Sequence, residues 1–269
     1  MKLIDTTSLA IRDFLGTTTG IQYAILSHTW GDDGDEVTYQ EMMAADRSAT
    51  ANKPGYHKIL QVCEMAKKEP YELQYAWVDT CCIDKTSSAE LTESINSMFR
   101  YYKEAAVCFA HLADWDLITG SSAFNTSRWF KRGWTLQELV APVPEKLVFL
   151  DKHWKKAGTK FELAADLAKA TGIDVRALDG TKPLHEFPVA VRMSWAAHRE
   201  TRRNEDRAYS LLGIFDISMP MLYGEGSNAF QRLQAEIITH STDMSIFAWR
   251  TASNSQKWNL EKGLSVNRN

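Results

Sequence analysis

No stretch of this chain approaches the roughly 18 consecutive apolar residues that a membrane-spanning helix requires. Asp5, Arg12 and Asp13 break the N-terminal segment before any apolar leader forms. No membrane span is expected, and the reading is of a cytoplasmic protein. Long basic tracts are missing too. Lys and Arg number 31 against 34 Asp and Glu, a formal charge of −3, so the footprint of a phosphate-backbone binder is absent and nucleic acid is not an expected partner. The four cysteines, Cys63, Cys81, Cys82 and Cys108, form no C-x-x-C pair and sit among apolar residues, which predicts reduced structural thiols rather than disulfides. Metal binding is not expected: adjacent Cys81 and Cys82 would point to opposite sides of a strand, and no His/Cys pair has ligand spacing. Gly224-Glu-Gly226 lacks a preceding strand and a third glycine, so it reads as a turn before a helix and not as a phosphate loop.

What is present suffices for a sizeable core. The 269 residues are 44% apolar and 24% charged, enough for one large domain or a domain with a substantial appendage. Nine tryptophans are many for this length, and such rings serve both as core and as ligand platforms. Short apolar runs at 22–27, 75–79, 107–112 and 146–151 read as buried strands. Helical spacing separates them at 37–43, at 56–67 and after Ser87 or Ser88, where Leu91, Ile95, Met98, Phe99 and Tyr102 form a stripe. Alternating strands and helices predict a parallel sheet covered on both faces, with ligands at the carboxyl ends of its strands. Those ends carry His28, the segment from Asp79 to Asp84, and Asp114.

Beyond residue 151 the rhythm becomes helical, at 161–170, 187–198, 205–215 and 228–240, with Thr159 and Asn204 as candidate caps and Gly172 as a stop. No Ser/Gly/Pro-rich linker precedes this part, which predicts an α/β core at 1–155 with a helical extension at 156–249 packed on it. Residues 244–249 read as one late strand. The segment 250–269 is polar apart from Trp258 and Leu260 and reads as a tail or linker.

The stretch Ser127–Leu139 draws most attention. Ser127 is placed to cap an amphipathic helix, and Phe130, Trp134 and Glu138 follow at four-residue steps, so a ring and a carboxylate share one side. The plain alternative is a buried tryptophan beside a solvated or ion-paired glutamate.

Five separated motifs carry a resemblance: Leu26-Ser-His-Thr-Trp30, Trp77-Val-Asp-Thr-Cys-Cys-Ile-Asp-Lys85, Glu93-Ser-Ile-Asn-Ser-Met98, Arg132-Gly-Trp-Thr-Leu-Gln-Glu-Leu139 and Glu205-Asp-Arg-Ala-Tyr-Ser-Leu-Leu-Gly-Ile-Phe215. In this order, from about Leu3 to Trp249, they resemble the fungal heterokaryon-incompatibility (HET) domain. The resemblance implies a cell-death effector, often the N-terminal part of a larger receptor chain. More distantly, Tyr23-Ala-Ile-Leu-Ser27 and Ser127, Trp134 and Glu138-Leu139 resemble Toll/interleukin-receptor (TIR) domains, with Gly133-Trp134-Thr135 where Ser-Trp-Cys is common. That implies a TIR-like, flavodoxin-like parallel sheet flanked by helices, with self-association through the core. It also implies NAD as a substrate rather than a cofactor, and Glu138 as the residue that cleaves the nicotinamide–ribose bond.

The chemistry agrees with a single carboxylate. Nicotinamide leaves a cationic pyridinium as a neutral molecule, so no acid need protonate it, unlike the two-carboxylate arrangement of ordinary glycoside hydrolases. Glu138 would stabilise the developing oxocarbenium charge, Trp30 or Trp134 would offer an aromatic wall, and Ser27, His28 and Arg128 would position ribose or pyrophosphate. Asp79 and Cys82 complete the expected substrate-binding set. Two alternatives stay open. One is a non-enzymatic death-signalling module acting by oligomerisation and recruitment, which predicts Glu138 buried and paired with a cation such as Arg128 or Arg132. The other is a cysteine hydrolase using Cys82 with His28. His28 alternatively holds Asp79 or Asp84. The interleaved charges from Arg199 to Arg207 read as a solvated or salt-bridged connection, with Arg207 a candidate to reach the cleft.

Overall fold

A computed structural model describes residues 1–14, 20–118 and 124–248. In chain order its strands are β1 (Lys2–Asp5), β2 (Ile11–Asp13), β3 (Tyr23–His28), β4 (Tyr75–Trp77), β5 (Val107–His111), β6 (Leu147–Leu150) and β7 (Lys156–Thr159). Its α-helices are α1 (Tyr39–Met43), α2 (Pro54–Lys67), α3 (Ser88–Glu104), α4 (Thr135–Val140), α5 (Ala164–Thr171), α6 (Val175–Leu178), α7 (Val189–Ser194), α8 (Asp206–Tyr209), α9 (Leu212–Phe215) and α10 (Asn228–His240).

The strands form one sheet in the order β2-β1-β4-β3-β5-β6-β7. The four inner strands are parallel, and β1, β2 and β7 are antiparallel additions at the two edges. The fold is thus α/β with a mostly parallel sheet, and the antiparallel edges go beyond the sequence reading. Numbered by their own sequence, the parallel strands run 2-1-3-4, the flavodoxin-like order, so the strand order reverses between β3 and β5. All six residues of β3 and all five of β5 are buried, as expected for strands covered on both faces. Right-handed crossovers then place α2, which contacts β3 and β4, on one face and α3 and α4 on the other.

Local chemistry explains the main helices. Thr38 and Glu41 form a reciprocal capping box on α1. Pro54 opens α2, where its missing N–H costs nothing, and the Ser87 hydroxyl accepts from the Glu90 amide at the start of α3. Gly172 closes α5 at φ +70°, a left-handed conformation that glycine adopts without penalty. The C-terminal helices pack on the sheet's helical face: α9 meets both α3 and α4, and the Asn96 amide of α3 bonds the Met219 backbone on both sides, at 3.0 and 3.1 Å.

Several expectations need correction. The helix expected to run on from Ser127 is two pieces, a 3-10 turn at Arg128–Lys131 and α4, because Arg132 is extended and the Gly133 amide donates outward to the Glu200 carbonyl at 2.8 Å. The helices expected at 187–198 and 205–215 are shortened to α7 and split into α8 and α9. Asn204 makes no side-chain cap, since Glu205 occupies that position. Residues 244–247 form a 3-10 helix capped by the Asp243 carboxylate rather than a strand, and Trp249 and the 250–269 segment lie outside the described residues. Cys81 and Cys82 lie in a turn whose amides both donate to the Val78 carbonyl. All four cysteines are free and buried.

Candidate functional site

A cleft of about 690 Å³ opens at the carboxyl ends of β3 and β4, beside the point where strand order reverses. Both its size and its place are those expected of a ligand site in a doubly wound sheet. His28, Trp30, Asp79, Arg128, Trp134 and Glu138 line it, so six of the eight residues anticipated from sequence meet there.

Glu138 is the centre of the arrangement. The first turn of α4 carries it, 6% exposed, one turn after Trp134. The Ser27 hydroxyl donates to Glu138 Oε2 at 2.5 Å and itself accepts from the Trp129 indole N–H at 2.9 Å. Ser27 is fully buried at the end of β3 and does not line the cleft, so it holds the carboxyl from behind. Burial pushes the Glu138 pKa up to about 8. The Ser27 bond and the charges of Arg132 and Arg199 oppose this, while Asp79 adds to it. Among the described residues no cation reaches ion-pair distance of Glu138; its opposite charges act from further off.

The wall beside it is built from the β3 and β4 loops. The Trp30 indole donates to Asp79 Oδ2 at 2.9 Å, and the Lys85 ammonium and the Arg132 guanidinium lie 4.0 and 5.2 Å from its ring centre. His28 sits 4.0 Å from Asp79 and 3.6 Å from Glu36, electrostatic contacts rather than hydrogen bonds, and its Nε2 is unpartnered. Asp79 Oδ1, the atom facing His28 Nδ1, likewise has no hydrogen-bond partner. Water or a ligand in the cleft would complete both atoms. Glu36 fastens the intervening loop by accepting from the Gly31 amide at 2.9 Å and from Lys58 at 2.5 Å. Burial alone would raise its pKa, but His28 and Lys58 hold it well below the carboxylate range.

The opposite wall comes from the C-terminal half. The Glu200 amide donates to the Lys131 carbonyl at 2.6 Å, pairing with the Gly133 bond to zip residues 131–133 against residue 200. A side chain at Gly133 would meet Thr201 Cγ2 at 2.4 Å, so glycine permits this approach. Thr201, Arg202, Arg203, Asp206 and Tyr223 thereby reach the cleft. Tyr223 donates to Asp206 Oδ1 at 3.0 Å. Burial raises the Asp206 pKa against the bonds from Tyr223 and Trp134.

Two anticipated residues behave differently from the rest. Cys82 lies in a separate cavity of about 350 Å³ with Trp77 and Tyr101, its sulfur 3.4 Å from the Val78 amide, so no Cys82–His28 pair forms across the cleft. Arg128 stands at the mouth, 70% exposed and 3.7 Å from Asp114. The Arg199–Arg207 cluster is not simply solvated. Arg199 is 5% exposed and donates to the Arg132 carbonyl and Thr135 hydroxyl, each at 2.9 Å, and Arg203 faces the cleft while Arg207 does not line it. Burial depresses the Arg199 pKa to about 9, against the pull of Glu138. Among the described residues no cluster of three or more His, Cys, Asp or Glu could hold a metal, and no helix is long and apolar enough to cross a membrane.

A family model described as Heterokaryon incompatibility protein (HET) matches residues 23–123, and one described as Domain of unknown function (DUF8212) matches residues 228–266. The chain is 43% identical over 224 residues to Vegetative incompatibility protein HET-E-1 of Podospora anserina, an alignment covering 80% of this chain and 16% of that protein. The chain thus spans only a small part of the length of this relative. No solved structure matches it.

Proposed function

The chain carries a fungal heterokaryon-incompatibility (HET) domain, and from that premise we propose that it is a cell-death effector of the incompatibility response that cleaves the nicotinamide–ribose bond of NAD. The observation that carries the reading is Glu138. It is a buried carboxyl at the strand-order reversal, facing a cleft, with one oxygen fixed by Ser27 and no cation at ion-pair distance among the described residues. A glutamate kept charged in a purely structural role is expected to have a paired cation. Without one, burial favours the protonated form of Glu138, and a cationic ligand is what would favour its ionised form.

In the reaction, the C1′–N1 bond breaks and its electron pair leaves with nicotinamide, which departs neutral. Water adds to C1′ and releases one proton. Ionised Glu138 stabilises the positive charge that develops at C1′. The pyridinium cation itself favours that ionised form, because an opposite charge nearby offsets the penalty of burial. Trp134 supplies an aromatic face for the positively charged ring, Trp30 being covered by Lys85 and Arg132, and Asp79 adds a second negative charge to the cleft.

The test is NAD consumption and nicotinamide release by wild type and Glu138→Ala, at high protein concentration or artificially clustered because the TIR resemblance implies assembly. Folding of both proteins is verified by thermal melts. Loss of a clear wild-type activity in the folded variant supports the reading. Clustered wild type that kills cells while leaving NAD intact refutes it in favour of recruitment without catalysis.

A further inference from the structure

The cations of the cleft are not used by the chemistry at Glu138. Lys131, Arg132 and Arg203 all line it. Arg128 has Asp114 and Arg202 has Asp33 as ion-pair partners, whereas none of these three has one among the described residues. Arg132 lies over Trp30 and Arg203 lies 4.6 Å from the Tyr223 ring centre. A guanidinium stacked on a ring keeps its N–H edge available for bidentate contact with an anion. The backbone bridge between residues 131–133 and Glu200 fixes the two halves of this set beside each other. The cleft thus carries both signs, with carboxyls at Asp79, Glu138 and Asp206, Lys85 against Trp30 beside Asp79, and cations without ion-pair partners among the described residues at Lys131, Arg132 and Arg203 along the bridge to the C-terminal half. A ligand matching both has a cationic end and an anionic middle.

We propose that Lys131, Arg132 and Arg203 form a diphosphate subsite that holds the bridging linkage of a dinucleotide while its glycosidic end meets Glu138. This rests on the NAD reading for the identity of that end. The subsite joins the Ser127–Leu139 stretch to the C-terminal half, so both walls of the cleft come from one chain. Its charge is local: the whole chain is at −3, so a general attraction to polyanions does not account for it.

The experiment is calorimetric titration of the full chain carrying Glu138→Gln, which binds without turnover, at low and moderate salt. The probes are ADP-ribose, inorganic pyrophosphate and nicotinamide riboside. Lys131→Met and Arg203→Met are added singly on that background; both residues are solvent-exposed, and thermal melts verify folding. Each is expected to weaken ADP-ribose roughly tenfold, the size of one charge-assisted contact, and to flatten its salt dependence while leaving nicotinamide riboside unchanged. No saturable ADP-ribose binding, or binding indifferent to both substitutions, overturns the subsite. Pyrophosphate binding as tight as ADP-ribose, with the same dependence, overturns the dinucleotide assignment in favour of a free-anion site. Cation-dependent ADP-ribose binding beside intact NAD in the clustered wild type leaves the subsite standing and removes the NAD reading. NAD cleavage with unchanged KM in Lys131→Met and Arg203→Met, made on the wild-type background, does the reverse.

Discussion

Replacing Glu138 by Gln separates the demands of the fold from those of the site. Glutamine keeps the shape of a protonated glutamate, and its carbonyl still accepts from Ser27. The carboxyl's pKa stands near 8 in the folded chain against an ordinary 4.5. A carboxyl whose pKa rises on folding binds more protons folded than unfolded. Its contribution is therefore intact below about pH 4.5 and is lost progressively as pH rises towards 8. At about 1.4 kcal/mol per pH unit, the full loss is roughly 5 kcal/mol, an upper bound because water entry and local relaxation soften such penalties. Domain stabilities are typically about 5–15 kcal/mol, so even half of this is measurable. Urea unfolding of wild type and Glu138→Gln at pH 5, 7 and 9 should give curves that nearly coincide at pH 5. They should separate by several kcal/mol at pH 9, with the variant the more stable. Parallel behaviour across this range would refute the claim that the carboxyl is held in its neutral form.

Other substitutions probe the supports of the site. Ser27→Ala removes the bond that lowers the Glu138 pKa, so the acidic limb of the pH–rate profile for NAD cleavage should move to higher pH; an unmoved limb would assign Ser27 a packing role only. Gly133→Ala places a methyl against Thr201 and should lower stability by about 1–2 kcal/mol in denaturant titration, with Thr201→Ser restoring most of it in a double-mutant cycle. Lys160, 1% exposed, donates to the carbonyls of Leu139 at 3.0 Å and Pro142 at 2.6 Å. Lys160→Met leaves these acceptors, one in the last turn of α4 and one just past its end, unpaired and should cost about 2–3 kcal/mol, seen as a lower unfolding midpoint at unchanged slope.

The parts legible in sequence are those whose signal is local. The run at 22–27, with Tyr23-Ala-Ile-Leu26 apolar, announces a strand buried on both faces, and Ser87 and Gly172 mark helix ends through chemistry confined to one turn. The edge strands escaped because they are short and lack a pattern. Ile11-Arg-Asp13 exposes two of its three residues, and Lys156-Ala-Gly-Thr159 is recruited by pairing with β6 rather than by propensity. Trp134 and Glu138 share one side, as their four-residue spacing predicts, because α4 preserves that spacing. Phe130 is not with them: the break at Arg132 turns it into the core against Phe124 and Phe149. The same break aims Trp129 at Ser27, a contact that no periodicity encodes. Arg203 and Asp206 come to the cleft beside the bridge at Gly133, a tertiary contact that no local pattern encodes, although Gly133 and Glu205-Asp206 belong to the five motifs.

A carboxyl held neutral by burial beside the cleft also couples ligand charge to protons. A pyridinium ligand prefers ionised Glu138, so its binding at neutral pH should expel a proton, and its affinity should rise with pH until the carboxyl is already ionised near pH 8. Nicotinamide, which has no charge, has no such preference. Calorimetry of wild type with nicotinamide riboside in buffers of different ionisation enthalpy reads the proton count directly, and short titrations at low protein concentration limit turnover. The expected result is release approaching one proton at pH 6 to 7, falling towards none above pH 9 and absent throughout in Glu138→Gln. Nicotinamide should release none with either protein. Equal proton release by the charged and uncharged ligands would mean that the carboxyl does not sense the ring's charge. Glu138 would then be a buried polar member of the core, and the cleft would owe its chemistry to Asp79 and the cations around it.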